Sequence, residues 1–298
     1  MLEKLKIQNF KTLLSAIKRK ESEDASRHLI LYRDGHLVAR HQSCNSCFCK
    51  AVVASGYLNQ QQMQHAVERY HLGLSRDGGV IFWQMDHLGT VYDGKIMYYR
   101  PDCHRDHHHN PTWVSAELKR FYKPTFDIPT LHCLFGLHLL SLTPPLPNRE
   151  GATRSENPAA EAHEHSSLIF NSQFSYEFCS LIPSGVRILN SQRSIAVVEA
   201  EKTAVILSEL YPQCLWMASG GLEALRPESL FPLRGHRIIL FPDTDDSGAT
   251  YTRWYDISRK ASRLLGQPIT VSSLLEQRAT PDQKRRKIDL VDFLFPPP

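Results

Sequence analysis

Two short apolar runs that each stop on acid carry the clearest chemistry in this chain. Ile195-Ala-Val-Val-Glu199 is one, and Ile238-Ile-Leu-Phe-Pro-Asp243-Thr-Asp245-Asp246-Ser-Gly248 is the other. Brought to one edge, Glu199, Asp243 and Asp245 would repel unless protons or cations neutralised them. Hard oxygen ligands suit Mg²⁺ (or Mn²⁺), which takes one or two carboxylates and fills its shell with water and substrate phosphate. The other reading of Asp-Thr-Asp-Asp-Ser-Gly is a helix N-cap, since Asp and Ser satisfy free N–H groups at the positive end of a helix. The strand-end Glu199 upstream favours the metal site. Lys202 can reach the same phosphates from the first turn of its helix, where free N–H groups also attract anions. Its alternative is a salt bridge to Glu199 or Glu201.

The elements around these residues follow from pattern. Each apolar run is too short for a helix and rich in β-branched residues, as expected of a buried parallel strand. Open α/β sheets place ligands just past the carboxyl ends of such strands. A helix is expected over Glu201–Leu210, a strand over Cys214–Ala218, and a turn at Gly220-Gly221, giving β-α-β-α-β. After Gly248, a helix over Ala249–Leu265 turns Trp254, Ile257 and Ala261 inward, and Gly266 stands at its C-terminal cap. A fourth strand is expected over Pro268–Ser272. The run Arg278–Lys287 holds Lys284, Arg285 and Arg286, which either bind nucleic-acid phosphates or form a solvated loop. In Ile288-Asp289-Leu-Val-Asp292, either Asp289 or Asp292 completes the metal cluster or caps a helix.

Strand-Glu, then strand-Asp-x-Asp-x-x-Gly, then a later acidic motif, resembles the toprim domain of bacterial DNA primases, topoisomerases and some nucleases. The resemblance implies that Glu199 acts as general acid/base or metal ligand, and that Asp243 and Asp245 hold Mg²⁺. Gly248 matches the glycine that starts the next helix. Primases usually have Gly after the Glu and Asp four residues beyond it, where this chain has Ala200 and Thr203. The form Val198-Glu199-Ala200-Glu201-Lys202-Thr203 is instead similar to primase-like toprim proteins of bacterial plasmids and conjugative elements.

Upstream, residues 1–20 place Leu2, Leu5, Phe10, Leu13, Leu14 and Ile17 on one helical face. His28–Tyr32 reads as a strand, and Arg33-Asp34-Gly35 as a hairpin-type turn. His41, Cys44, Cys47 and Cys49 include one C-x-x-C, but a structural zinc site needs four ligands, usually two separated pairs. Only Cys103 and His104 offer a distant second half, so free thiols are the expected state and Zn²⁺ is not expected. Ala51–His71 reads as helical. Val80–Arg100 holds two β-rich runs about the Asp86-His-Leu-Gly89 turn. Lys95 and Arg100 lie there among aromatics, a composition suited to a single strand or to a half-buried sheet. The His-rich stretch Cys103–His109 reads as a solvated loop, and Trp113–Tyr122 as a helix.

Across all 298 residues, 42% are hydrophobic and 22% charged, which is ordinary for a globular protein, and the net charge is only +4. No run approaches the roughly 20 apolar residues of a membrane span. Seven cysteines at irregular spacing argue against a disulfide framework and suit a reducing cytoplasm. Ser141–Ser167, rich in proline and polar residues, breaks the apolar pattern. The expected architecture is therefore an N-terminal α+β domain (1–140) able to bind nucleic acid and a linker (141–167). A Rossmann-like toprim domain with a mostly parallel four-stranded sheet (168–298) follows. The expected activity is Mg²⁺-dependent nucleotidyl transfer of primase type, with a toprim nuclease or an inactive single-stranded-DNA-binding replication protein as alternatives. Implied partners are single-stranded DNA, nucleotides, and a separate helicase or replication initiator. No helicase P-loop is present in the chain itself.

Overall fold

A computed structural model of the chain describes residues 35–122, 132–142, 193–221 and 223–296. The expected helix at 1–20, the strand at 28–32 and the linker from 143 onward lie outside them.

The first part runs α1 (Gly35–His41), α2 (Cys47–Ala54), α3 (Gln60–Tyr70), β1 (Gly73–Leu74), β2 (Val80–Met85), β3 (Val91–Met97), β4 (Thr112–Trp113) and α4 (Val114–Tyr122), then a 3₁₀ turn at Leu137–Leu142. Gly35 opens a helix rather than closing a hairpin turn. The helix expected over 51–71 is two helices, because the chain breaks at Gly56 (φ 74°) and restarts on an Asn59–Gln62 capping box. Strands β1–β4 form one antiparallel sheet in sequence order. Its hairpin closes where the Asp86 carboxylate accepts the Leu88 and Thr90 N–H groups, both at 2.9 Å. Every residue of β2 is buried. Phe82 joins the main core, while Ile81 and Trp83 face a smaller cluster with Val38, Met85, Val91 and Ile96.

The second part runs β5 (Ser194–Val198), α5 (Glu201–Leu210), β6 (Cys214–Ala218), a 3₁₀ turn (Pro227–Leu233), β7 (Ile238–Phe241), α6 (Ala249–Leu265), β8 (Ile269–Val271), α7 (Leu274–Arg278), α8 (Pro281–Arg285) and α9 (Leu290–Leu294). The four strands pair in parallel in the order β6-β5-β7-β8. From β5 the chain crosses to one side for β6 and then to the other for β7. The carboxyl ends of β5 and β7 therefore flank the switch point, where α/β sheets open a crevice.

The two sheets share one apolar core. Phe48, Tyr70, Phe82 and Phe135 lie in it with Val197, Trp216 and Leu240. The Tyr70 hydroxyl donates to the Trp216 carbonyl at 2.8 Å. Phe135 pairs with Ala218 through two backbone bonds of 2.9 and 3.0 Å and so covers the edge of β6. At the surface, His65 and Arg69 of α3 meet Glu209 of α5 at 2.8 and 3.7 Å.

Candidate active site

Val198 stands opposite Phe241 in the β5–β7 ladder. Glu199 therefore leaves the sheet one residue past the paired rows and Asp243 two residues past them, on neighbouring strands about 4.8 Å apart. Ala200 follows as the N-cap of α5 and offers no side-chain cap bond. The sequence thus spends no side chain of its own to close that helix end.

Lys202, on the first turn of α5, lies behind this rim with 7% of its surface exposed. Its Nζ stands 3.0 Å from Asp289 Oδ2 and 3.3 Å from Asp292 Oδ1. Burial opposes its charge, but Asp289 and Asp292 outweigh that and hold the ammonium well above the ordinary lysine range. Asp289 has two further duties. It caps α9 by accepting the Asp292 N–H at 2.8 Å, and it accepts the Thr203 hydroxyl at 2.8 Å. Its neighbour Ile288 accepts the Thr244 N–H at 3.3 Å, which ties this segment to the end of β7. Burial works to raise the Asp289 carboxyl, yet Lys202 and these donors bring it below the usual range.

Asp243 is treated in the opposite way. It is half-buried, and among the described residues no group donates to its side chain. Burial, then the charges of Glu199, Asp289 and Asp292, push its carboxyl well above the ordinary range, and Lys202 only partly offsets them. A carboxylate under that pressure is stabilised by a proton or a bound cation.

Asp245, two residues on, is the N-terminal acceptor of α6. Its Oδ1 takes the Ser247 N–H at 2.8 Å and the Ala249 N–H at 3.2 Å. Its Oδ2 takes the Thr250 N–H at 2.7 Å. Burial is outweighed by these donors, and the carboxyl is pulled well below its usual value. Gly248, at φ 69°, makes the left-handed turn that permits this loop. The helix-cap reading of the motif therefore describes Asp245, whereas among the described residues Asp243 caps nothing.

Four of the five basic residues expected to bind nucleic acid pair with acids. Lys95 reaches from β3 to Glu201 at 3.1 and 3.2 Å and to the Gly220 carbonyl at 2.6 Å. It clasps the two sheets together, and its side chain is only 13% exposed. Arg100 pairs with Asp102 at 2.8 Å, Lys284 with Glu276 at 2.7 Å, and Arg285 with Asp282 at 3.2 Å. Arg286 is exposed at the end of α8.

Sequence reasoning missed the residues that the first part contributes. Tyr57, Tyr99 and Cys103 are close enough to Lys202 and Asp289 to feel their charges. Burial pushes the Cys103 thiol up to about 12, with Lys202 opposing. Their local sequence does not tie them to Lys202, since the partners lie far along the chain. Of the other thiols, Cys44 donates to Gln64 at 2.6 Å, Cys47 accepts the Tyr99 N–H at 3.3 Å, and Cys49 accepts the Ser46 hydroxyl at 3.1 Å. All the described cysteines are free.

Among the described residues, no three Asp, Glu, His or Cys side chains stand ready to hold one ion. The donor set still fits Mg²⁺, which needs only one or two carboxylates when substrate phosphate and water supply the rest. Glu199 and Asp243, at the ends of the neighbouring strands β5 and β7, are two such carboxylates.

A family model, described as a domain of unknown function (DUF6371), matches residues 47–147 and 148–244, more than half of the chain. The chain belongs to the DUF6371 family. Glu199, Lys202 and Asp243 lie inside the matched residues, and Asp245, Asp289 and Asp292 beyond them. Neither the curated proteins nor the solved structures hold a match to the chain. No helix among the described residues is long and apolar enough to cross a membrane.

Proposed function

We propose that this DUF6371 protein is a Mg²⁺-dependent enzyme of nucleotidyl transfer on nucleic acid, a primase-type relative of the toprim proteins. The observation that carries the reading is Asp243. It stands at a switch-point rim without a hydrogen-bond donor among the described residues, under the charges of Glu199, Asp289 and Asp292. A half-buried acid under that much repulsion is a poor structural feature and a good cation seat.

In this reading Glu199 and Asp243 hold the ion, which supplies charge stabilisation at the reacting phosphate. Asp289 and Asp292 fix Lys202, and Lys202 limits the negative charge behind the pair. Asp245 positions Asp243 by locking the loop that follows it onto α6. The first turn of α5 opens beside Glu199 with no side-chain cap, so its N–H groups face the side from which phosphate would approach.

Primer synthesis on a single-stranded template with ribonucleotides and Mg²⁺ tests the proposal, wild type against Asp243→Asn. Activity is expected from the wild type and at least about a hundredfold less from the variant. Cleavage of labelled strands without nucleotides would reassign the same site to a nuclease.

A second reading rests on Lys202, whose ammonium already sits among the acids. In it the cluster is an internally neutralised relic, and the protein binds single strands without chemistry. Template binding indifferent to Asp243→Asn, with neither synthesis nor cleavage, would favour it.

A further inference from the structure

Helix α6 buries Trp254, Ile257, Ala261 and Leu265 against the parallel sheet. Around the helix from that face, a residue at every fourth position forms one ridge: Tyr251, Tyr255, Arg259 and Arg263. The Tyr251 and Tyr255 rings stack with centroids 6.3 Å apart and planes 21° from parallel. Tyr255 is 47% exposed despite its size. Arg259 and Arg263 are exposed, and among the described residues neither meets a carboxylate. Arg253 on the same helix, by contrast, is held by Glu223 at 2.6 Å.

The ridge has a place as well as a composition. Helix α6 starts directly after the Asp243–Gly248 loop. Its tyrosines therefore lie at the end near the rim and its arginines farther out, along about 18 Å of helix. Asp256, three residues before Arg259, flanks the ridge and among the described residues pairs with neither of its arginines, while Lys260 falls farther round the helix and the ridge keeps a net positive charge.

We propose that this ridge docks single-stranded nucleic acid on its way to or from the rim. Unpaired bases stack on Tyr251 and Tyr255, and phosphodiester oxygens meet Arg259 and Arg263. Stacking on an aromatic accepts any base, whereas a duplex hides its base faces. The inference rests on the reading of the rim as a site for nucleic-acid chemistry, and it names the surface that would present the strand.

Fluorescence anisotropy of the full chain with labelled single-stranded thymidine and uridine oligomers, and with duplex DNA, tests it. Tyr255→Ala should weaken single-strand binding about tenfold and leave duplex binding unchanged, and Tyr255→Phe should restore it. Arg259→Ala with Arg263→Ala should lower the slope of log affinity against log salt by about 1.4. The thymidine and uridine arms show whether the strand is DNA or RNA. Wild-type affinity in Tyr255→Ala, an equal loss on duplex, or no single-strand binding by the wild type would overturn the proposal. Tyrosine-dependent binding without synthesis or cleavage would keep the ridge and sink the catalytic reading. Mg²⁺-dependent synthesis by a Tyr255→Ala protein of unchanged template affinity would do the reverse.

Discussion

The rim of the parallel sheet and the capped start of α6 are two residues apart in the chain, yet they treat a carboxylate in opposite ways. Asp243 meets like charges that Lys202 only partly offsets and, among the described residues, no donor, and its carboxyl is pushed up. Asp245 meets a fan of N–H groups, and its carboxyl is pulled down. Acidic spacing alone makes them look like one pair. The difference lies in the backbone: helix α6 aims its free N–H groups at Asp245 and leaves Asp243 on the strand side of the turn. An acid that is fully hydrogen-bonded is structural, and an acid left under repulsion is available for a cation.

The largest expected effect tests whether the rim is an organised cluster. Asp289→Ala leaves Lys202 buried with a single remaining partner, removes the cap of α9 and orphans Thr203. Removing one partner of a buried pair costs about 3–5 kcal/mol. The urea midpoint should fall accordingly, and an unchanged midpoint would mean that the Lys202 cluster carries no structural weight. Lys95→Met should behave similarly, because Glu201, 2% exposed, would lose the one cation that pairs with it among the described residues.

Next is the comparison itself. Mg²⁺ should raise the melting temperature of the wild type, because binding stabilises the folded state by about 2.7 kcal/mol at a hundred times the dissociation constant. The same titration should leave Asp243→Asn unmoved. Asp245→Ala should keep a Mg²⁺ response and instead lose about 1–2 kcal/mol, the value of a helix cap. If Asp245→Ala abolishes the Mg²⁺ response and Asp243→Asn does not, the two residues have been assigned the wrong way round.

Much of this was legible in the sequence. Strands β5 and β7 end where the apolar runs Ile195–Val198 and Ile238–Phe241 stop, and α6 spans Ala249–Leu265 as its apolar spacing requires. The Asp86–Gly89 hairpin also follows from pattern. Three things were not legible. Asp243 and Asp245 are equivalent in spacing and differ only in which N–H groups surround them. Lys95 reads as a surface cation among aromatics, and only the docking of the two sheets turns it onto Glu201. Cys103 and Tyr99 reach the Lys202 cluster through contacts across most of the chain, which no local pattern records.

The smallest effect sharpens the comparison most, because it has opposite signs for the two acids. The Asp243 carboxyl is raised in the folded chain, so the fold binds its proton more readily than the unfolded chain does. Its contribution to stability is complete below about pH 4, the ordinary carboxylate value, and is lost as pH rises through the raised value. Asp245 and Asp289 are lowered, so their contributions are present above about pH 4 and are lost as pH falls through the lowered values. Chemical denaturation from pH 3 to pH 8 should therefore show a rising acidic limb and then a shallow decline toward neutrality. Asp243→Asn should remove the decline, and Mg²⁺ should flatten it in the wild type. Asp245→Ala should weaken only the acidic limb. Because Asp243 shares its field with Glu199 and Asp289, the decline belongs to the cluster and reports its combined charge. A decline that survives both Asp243→Asn and saturating Mg²⁺ would show that the repulsion lies elsewhere, and the rim would lose its claim to a cation.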